Sequence, residues 1–234
     1  PVLTDRVEYL GVSPVTGVRL RELPETVHHD VDDWVYLDTE TTGLSSGTGN
    51  LAFMVGVARY SRGGGLQVRQ YTLAAFGDER AMLDSLIDWI GDAAALVSYN
   101  GRGFDLPLLL GRLRLHSITH GLDKLVHLDL MYTVRRAYRS LWPDCRLQTA
   151  ERERLGLKRV DDLPGAHAPD AWRAWLQTGS TDRLAGVLRH NYQDVVSLAR
   201  LHAALVEDYS GRSRQSFDRL RVGRAWESMG CIEQ

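Results

Sequence analysis

Apolar residues fall along the chain in two rhythms. Trp34-Val35-Tyr36-Leu37 is a short apolar run that stops at Asp38, the pattern of a buried strand. Turn formers follow in GLSSGTGN, and Leu51 to Tyr60 is again almost continuously apolar. After SRGGG, the stretch from Leu66 to Leu73 alternates, with Leu66, Val68, Gln70 and Thr72 on one side. Three strands joined by short turns predict an antiparallel meander. The period then changes. Met82, Leu83, Leu86, Ile87 and Ile90 recur at helical spacing behind Asp78, which is placed to cap. Ala95 to Tyr99 predicts a fourth strand, Asn100-Gly101 a turn, and Phe104 to Leu115 a helix with Pro107 in its first turn. Val126 to Leu130 predicts a fifth strand, a basic helix follows it, and the clearest later helix runs from about Asp182 to Val206. Three antiparallel strands followed by strands alternating with helices predict an α/β fold on a mixed sheet.

Composition narrows this picture. A chain of 234 residues, 44% of them hydrophobic, suits one sizeable core. Residues 32–208 are expected to form it, with an irregular arm or hairpin over 1–31 and a polar, weakly patterned tail over 209–234. The net charge of −2 excludes a basic field over the whole chain, so any contact with nucleic acid is local. The charge is unevenly spread. Glu22 to Glu40 holds seven acids and no Lys or Arg, whereas Asp129 to Arg159 holds eight bases against four acids. Cys145 and Cys231 are too few for a disulfide framework or a thiolate zinc site. The opening PVLTDRVEYL lacks the basic and apolar regions of a signal peptide, and no run is long enough to span a membrane. The expected setting is reducing and cytoplasmic, with no membrane partner.

Three places carry candidate chemistry. Asp38 and Glu40 stand at i and i+2 at the end of a buried strand, on one face. Carboxylates so close repel, and a hard divalent cation removes that conflict. Asp105, in SYNGRGFDLPLL, follows a strand and a turn at the start of a helix, a good place for a ligand. His190 and Asp194, in HNYQDVVSL, are i and i+4 at one edge of the apolar stripe of their helix. Each has a plainer reading when taken alone: a solvated turn, a helix N-cap and a structural ion pair. Asp129 ends a strand close by, with a hydrogen-bonding role expected in preference to a ligating one.

Taken together, LDTETTGL, GTGN, SYNGRGFDLPLL, HLDL, CRLQTAE, DDLPG and HNYQDVVSL, in that order, closely resemble the DEDD (DnaQ-like) exonucleases, and among them the bacterial YprB-like exonucleases. The likeness covers roughly residues 34 to 206. It implies a ribonuclease H-like sheet of five strands, three antiparallel and then two parallel, flanked by helices. It also implies a 3′→5′ exonuclease acting on single-stranded or frayed DNA or RNA. Asp38, Glu40, Asp105 and Asp194 would hold two Mg²⁺ or Mn²⁺ ions. The chain departs from the family at the fifth residue. One branch has His five positions before the last Asp, the other Tyr four positions before it; here Arg189 stands at minus five and His190 at minus four. An imidazole, with an ordinary pKa of about 6.5, is a better base at neutral pH than a phenol. His190 is therefore assigned as the water-activating base, with orientation of Asp194 as its alternative role.

Substrate contacts are expected from Thr41, Gly43 and Leu44 of the glycine-rich turn, from Asn100, Arg102 and Phe104, and from Arg135, Arg136 and Arg146, with Arg139 beside them. Asp161 and Asp162 match a family phrase, but no physical role follows for them. Two other readings stand beside the leading one: the same site specialised for short oligonucleotides or structured junctions, and a catalytically silent nucleic-acid-binding module. The four acids argue against silence.

Overall fold

A computed structural model describes residues 2–8, 23–24, 26, 34–43, 49–61, 65–160 and 162–228. The strands are β1 (Val2–Glu8), β2 (Trp34–Thr41), β3 (Ala52–Tyr60), β4 (Leu66–Thr72), β5 (Ala95–Ser98) and β6 (Val126–Asp129). The helices are α1 (Glu79–Ile90), α2 (Asp105–Leu115), α3 (Leu130–Tyr138), α4 (Leu147–Leu155), α5 (Ala168–Thr178), α6 (Leu184–Tyr209) and α7 (Arg219–Ser228). One sheet runs in the order β1-β4-β3-β2-β5-β6. Strands β2, β3 and β4 form the antiparallel meander, and β5 and β6 add in parallel to β2. The five strands predicted from the pattern thus pair in the predicted sense.

Both chain ends differ from expectation. The stretch read as an arm contains β1, which pairs antiparallel with β4 from Val2↔Thr72 to Glu8↔Leu66. The outer edge of β4 would otherwise present a row of unpaired N–H and C=O groups. Main-chain pairing at an edge needs no apolar period, so the sequence pattern was silent. The stretch read as a tail contains α7, which buries Val222 and Ala225 and packs on α3. Two buried side chains on a short helix make too weak a stripe to be seen among its arginines. Asp78 stands at the N-cap of α1, but its side chain makes no capping hydrogen bond.

The first half of β2, Trp34-Val35-Tyr36-Leu37, is apolar throughout because both its faces are covered. Trp34 and Tyr36 join Ala58, Val134, Ala150, Leu198 and Val222 in a core beneath α3, α4, α6 and α7. Val35 and Leu37 join Val55, Leu86, Leu109 and Trp172 in a second core beneath α1, α2 and α5. Two features of this arrangement position the site. The parallel strands β2, β5 and β6 all end at one edge of the sheet, where ligands of open α/β sheets gather. Helix α6 packs across β2, β3 and β4, on the face that Asp38 and Glu40 share. At the end of β2 the pairing register slips between Glu40 and Thr41, a bulge of the kind that re-aims side chains.

Candidate active site

Strand β2 delivers Asp38 and Glu40 toward α6, which delivers Asp194. Asp105 arrives from the other face as the first residue of α2. Its carboxylate is not spent on a cap. Oδ1 accepts a hydrogen bond from Thr39 Oγ1, so the strand residue between Asp38 and Glu40 ties the fourth acid to the other three.

The electrostatics of this group are those of crowded, desolvated acids. Burial and the charges of Asp194, Asp105 and Glu40 hold the Asp38 carboxyl well above the usual range, against a hydrogen bond from Asn191 that lowers it. Glu40 is pushed up to about 8 by burial and by Asp194, Asp105 and Asp162, with Arg159 pulling the other way. Burial lifts Asp105 to about 6 despite the bond from Thr39. Asp194 is raised by burial, with Arg159 and His190 opposing.

Beside the acids lies a second set of groups. Arg159, in the loop after α4 and only 7% exposed, forks both oxygens of the buried Glu151, at 2.6 and 2.7 Å. It also donates to Asp162 at 3.1 Å and to Asp194. The His190 Nδ1 lies 2.6 Å from Asp162 Oδ1, and its Nε2 lies 3.6 Å from Asp194 Oδ2. Arg159 Nη1 also lies 3.3 Å from Nδ1, but the closer contact, at 2.6 Å, is with the acceptor Asp162, which favours the proton on Nδ1 and leaves Nε2 facing the acid cluster.

The remaining predicted residues divide. Thr41, Gly43 and Phe104 line a cleft of about 440 Å³ together with Thr39, Glu40, Asp105, Gly165, Pro169 and Arg173. Leu44 lies outside the described residues. Asn100 takes a left-handed conformation at φ 65°. It belongs to the turn that Asp129 organises: Asp129 accepts from the main-chain N–H of Asn100 at 2.7 Å, of Arg102 at 3.1 Å and of Met131 at 3.1 Å. That is the structural role expected of Asp129. The Arg102 side chain is exposed and donates to the His127 carbonyl. Arg135 and Arg139 line a separate groove with Trp142 and Cys145. Arg146 is 84% exposed beside Asp144, and Arg136 is half-buried on α3.

Among the described residues no three acidic or histidine side chains are gathered as a ready ligand set. Arg159 engages Asp194 and Thr39 engages Asp105. The donors nonetheless suit a hard divalent cation, being carboxylate oxygens in a buried group whose mutual repulsion such an ion relieves.

Residues 35–206 match the RNase_H superfamily. The chain belongs to that superfamily. It is 38% identical over 170 residues to the uncharacterized protein YprB of Bacillus subtilis (strain 168), a match covering 71% of this chain and 40% of YprB. The likeness to YprB-like proteins read from the motifs is therefore borne out, and the chain spans about two fifths of that relative's length. Among solved structures, the family B DNA polymerase of Pyrobaculum calidifontis matches at a TM-score of 0.58 and 19% identity, covering 75% of this chain and 25% of the polymerase. The zinc-bound E. coli ExoI–ssDNA complex matches at a TM-score of 0.45 and 13% identity, over 68% of this chain and 42% of that one. The polymerase shares the RNase H-like fold.

Several members of the site escaped the sequence reading of this superfamily chain. Glu151 lies within the polar helix α4, and Arg159 and Asp162 in the loop after it, where charge ordinarily means solvent contact. The phrase DDLPG pointed at Asp162 without a reason; its contact with His190 supplies one. Asp161 lies outside the described residues. Pro169 and Arg173 carry no sequence signal, because the return of the chain over the cleft is decided by the packing of α5 on α6 and β2.

Proposed function

We propose that the protein is a metal-dependent nuclease that removes nucleotides from the 3′ end of single-stranded or frayed DNA or RNA. The observation that carries this reading is the convergence of Asp38, Glu40, Asp105 and Asp194 at the end of an RNase H-like sheet, with all four carboxyl groups pushed up by burial and those of Asp38 and Glu40 also by the charges of Asp105 and Asp194. Groups with such shifts in a cleft are what functional sites contain. Two Mg²⁺ or Mn²⁺ ions held by these acids would supply the positive charge that neutralises a phosphodiester and its leaving oxygen.

The protein's own residues account for the rest. Asp162 holds Nδ1 of His190, leaving Nε2 to accept a proton from the attacking water. As the water oxygen bonds to phosphorus, the bond from phosphorus to the 3′ oxygen breaks, and that oxygen takes up a proton. Phe104, which lines the cleft with Thr41 and Gly43, would give the terminal base an apolar wall, and the backbone from Thr41 to Gly43 would take the sugar. Arg135, Arg136 and Arg146 would take phosphates farther along the strand. The 3′→5′ polarity rests on the family resemblance.

The test is digestion of 5′-labelled single strands of each sugar with Mg²⁺ or Mn²⁺. The expected result is a ladder shortening from the 3′ end, abolished by excess chelator. Undiminished cleavage in chelator, or no cleavage with either ion, overturns the reading.

A further inference from the structure

Gly56, Gln70 and Asn191 stand behind Asp38. In the sheet, Asp38 of β2 is paired with Gly56 of β3, and Gly56 with Gln70 of β4. The three form a row across the face that α6 covers. Asn191 of α6, fully buried, sits over the middle of that row. A Cβ at Gly56 would lie 2.2 Å from Asn191 Oδ1 and 2.8 Å from Val195 Cγ2. Only the missing side chain lets the amide lie against the sheet and touch both neighbours of the glycine.

The amide's orientation follows from what each partner can do. The Leu188 carbonyl only accepts, so Gln70 must turn Nε2 toward it, at 2.9 Å. The same nitrogen donates to Asn191 Oδ1 at 2.9 Å. Asn191 Nδ2 is then left facing Asp38, where it donates to Oδ2 at 2.9 Å and to the main-chain carbonyl at 3.3 Å. Asp38 is thus clamped against its own backbone by a neutral donor. Arg159, by contrast, brings Asp194 a positive charge that competes with any cation.

We propose that Asn191, seated over Gly56 and oriented by Gln70, is a positioning residue that fixes the rotamer of Asp38, engaging Oδ2 and leaving Oδ1 as the oxygen available to a cation. The inference rests on the nuclease reading for what Asp38 does. Partners that hold a ligating carboxylate from behind typically contribute about 10–100-fold to metal affinity.

The experiment measures Mn²⁺ binding by calorimetry to chelator-stripped full-length protein, together with its thermal midpoint and the Mn²⁺ dependence of strand cleavage. Asn191→Ala, and Asn191→Leu as a variant of similar volume without a donor, should each bind Mn²⁺ about tenfold more weakly or worse. Each should recover part of its turnover at saturating Mn²⁺. Gly56→Ala should displace Asn191, lowering both the midpoint and the affinity. Adding Asn191→Ala to Gly56→Ala removes the closest clash and leaves that with Val195, so the midpoint should recover in part while the affinity stays low. Recovery of both together would show that the contact is packing alone and overturn the proposal. So would Asn191→Ala and Asn191→Leu proteins that bind Mn²⁺ as the wild type does, even if Gly56→Ala fails to fold. A wild-type chain that binds no Mn²⁺ overturns the nuclease reading and this inference together; a wild-type chain that binds, with the Asn191 variants its equal, overturns this inference alone.

Discussion

Glu79 and Glu40 are both nearly inaccessible, at 3% and 7% exposure, yet their surroundings treat charge in opposite ways. Glu79, at the start of α1, receives Arg112 Nε at 2.6 Å, Arg112 Nη2, and His116 Nε2 at 2.7 Å. Burial pushes its carboxyl up, but hydrogen bonds from Arg112 and His116 outweigh that and hold it below the ordinary value. Burial pushes Glu40 up as well, and there the neighbouring charges of Asp194, Asp105 and Asp162 add to the effect. The first acid is a fastening completed within the fold. The second stands among acids whose charged forms burial and the neighbouring carboxylates disfavour, a conflict that a bound cation would relieve.

The largest effects are expected at the acids themselves. Asp38→Ala or Asp194→Ala should lower strand cleavage by about 10³-fold or more, since several kcal/mol of transition-state stabilisation are removed and each 1.36 kcal/mol is tenfold. In the chelated protein these changes relieve repulsion but also take a partner from Asn191 or Arg159, so the thermal midpoint should stay close to that of the wild type. An active Asp194→Ala protein would place the chemistry on another helix. His190→Ala should cost about 10²–10⁴-fold in rate at saturating Mn²⁺, with a much smaller change in Mn²⁺ affinity. His190→Tyr should retain more activity than Ala and work best at higher pH. Should His190→Ala instead weaken Mn²⁺ binding and keep its turnover, the imidazole only supports Asp194.

Glu79→Ala sharpens the comparison from the other side. It removes the carboxylate that Arg112 and His116 share in a mostly buried position and should cost about 3–5 kcal/mol in urea denaturation, with Mn²⁺ affinity untouched. A Glu79→Ala protein of unchanged stability would mean that the two clusters do not differ as described. The smallest effect is on pH dependence. Glu40 and Asp105 have folded pKa values of about 8 and about 6, above the ordinary carboxyl range near ~4. Between that range and about pH 8 the folded chain holds more protons than the unfolded one, so the stability of chelated protein falls as pH rises. The thermal midpoint should drop by roughly a few degrees from pH 5 to pH 8, and Mn²⁺ or Glu40→Gln should flatten the slope. A midpoint that climbs across this window would show that the acids are paired after all. Glu79 has the opposite sign: its contribution is present above the unfolded carboxyl pKa and is lost as pH falls through its depressed folded value.

The sequence by itself determined the parts of this protein that depend on side-chain period. Strands β2 to β6 were legible because a strand buried on one or both faces must write its burial into every residue or every second one. Asp38 and Glu40 were legible for the same reason, as charges that interrupt an apolar run. Asp194 and His190 could be placed on one face of α6 because i and i+4 are neighbours on any helix. Tertiary structure decided what depends on how α6 lies on the sheet. Asn191 reaches across 153 positions of sequence to Asp38, and 121 to Gln70. Nothing in HNYQDVVSL says which sheet row lies beneath the asparagine, or that Gly56 is the residue that leaves it room. Arg159 and Asp162 were hidden likewise, because a loop charge carries no period, and its partners are chosen only when the loop closes over α6. The strand at Val2–Glu8 joined the sheet through main-chain hydrogen bonds, which every sequence can offer and only an unpaired neighbouring edge can take up.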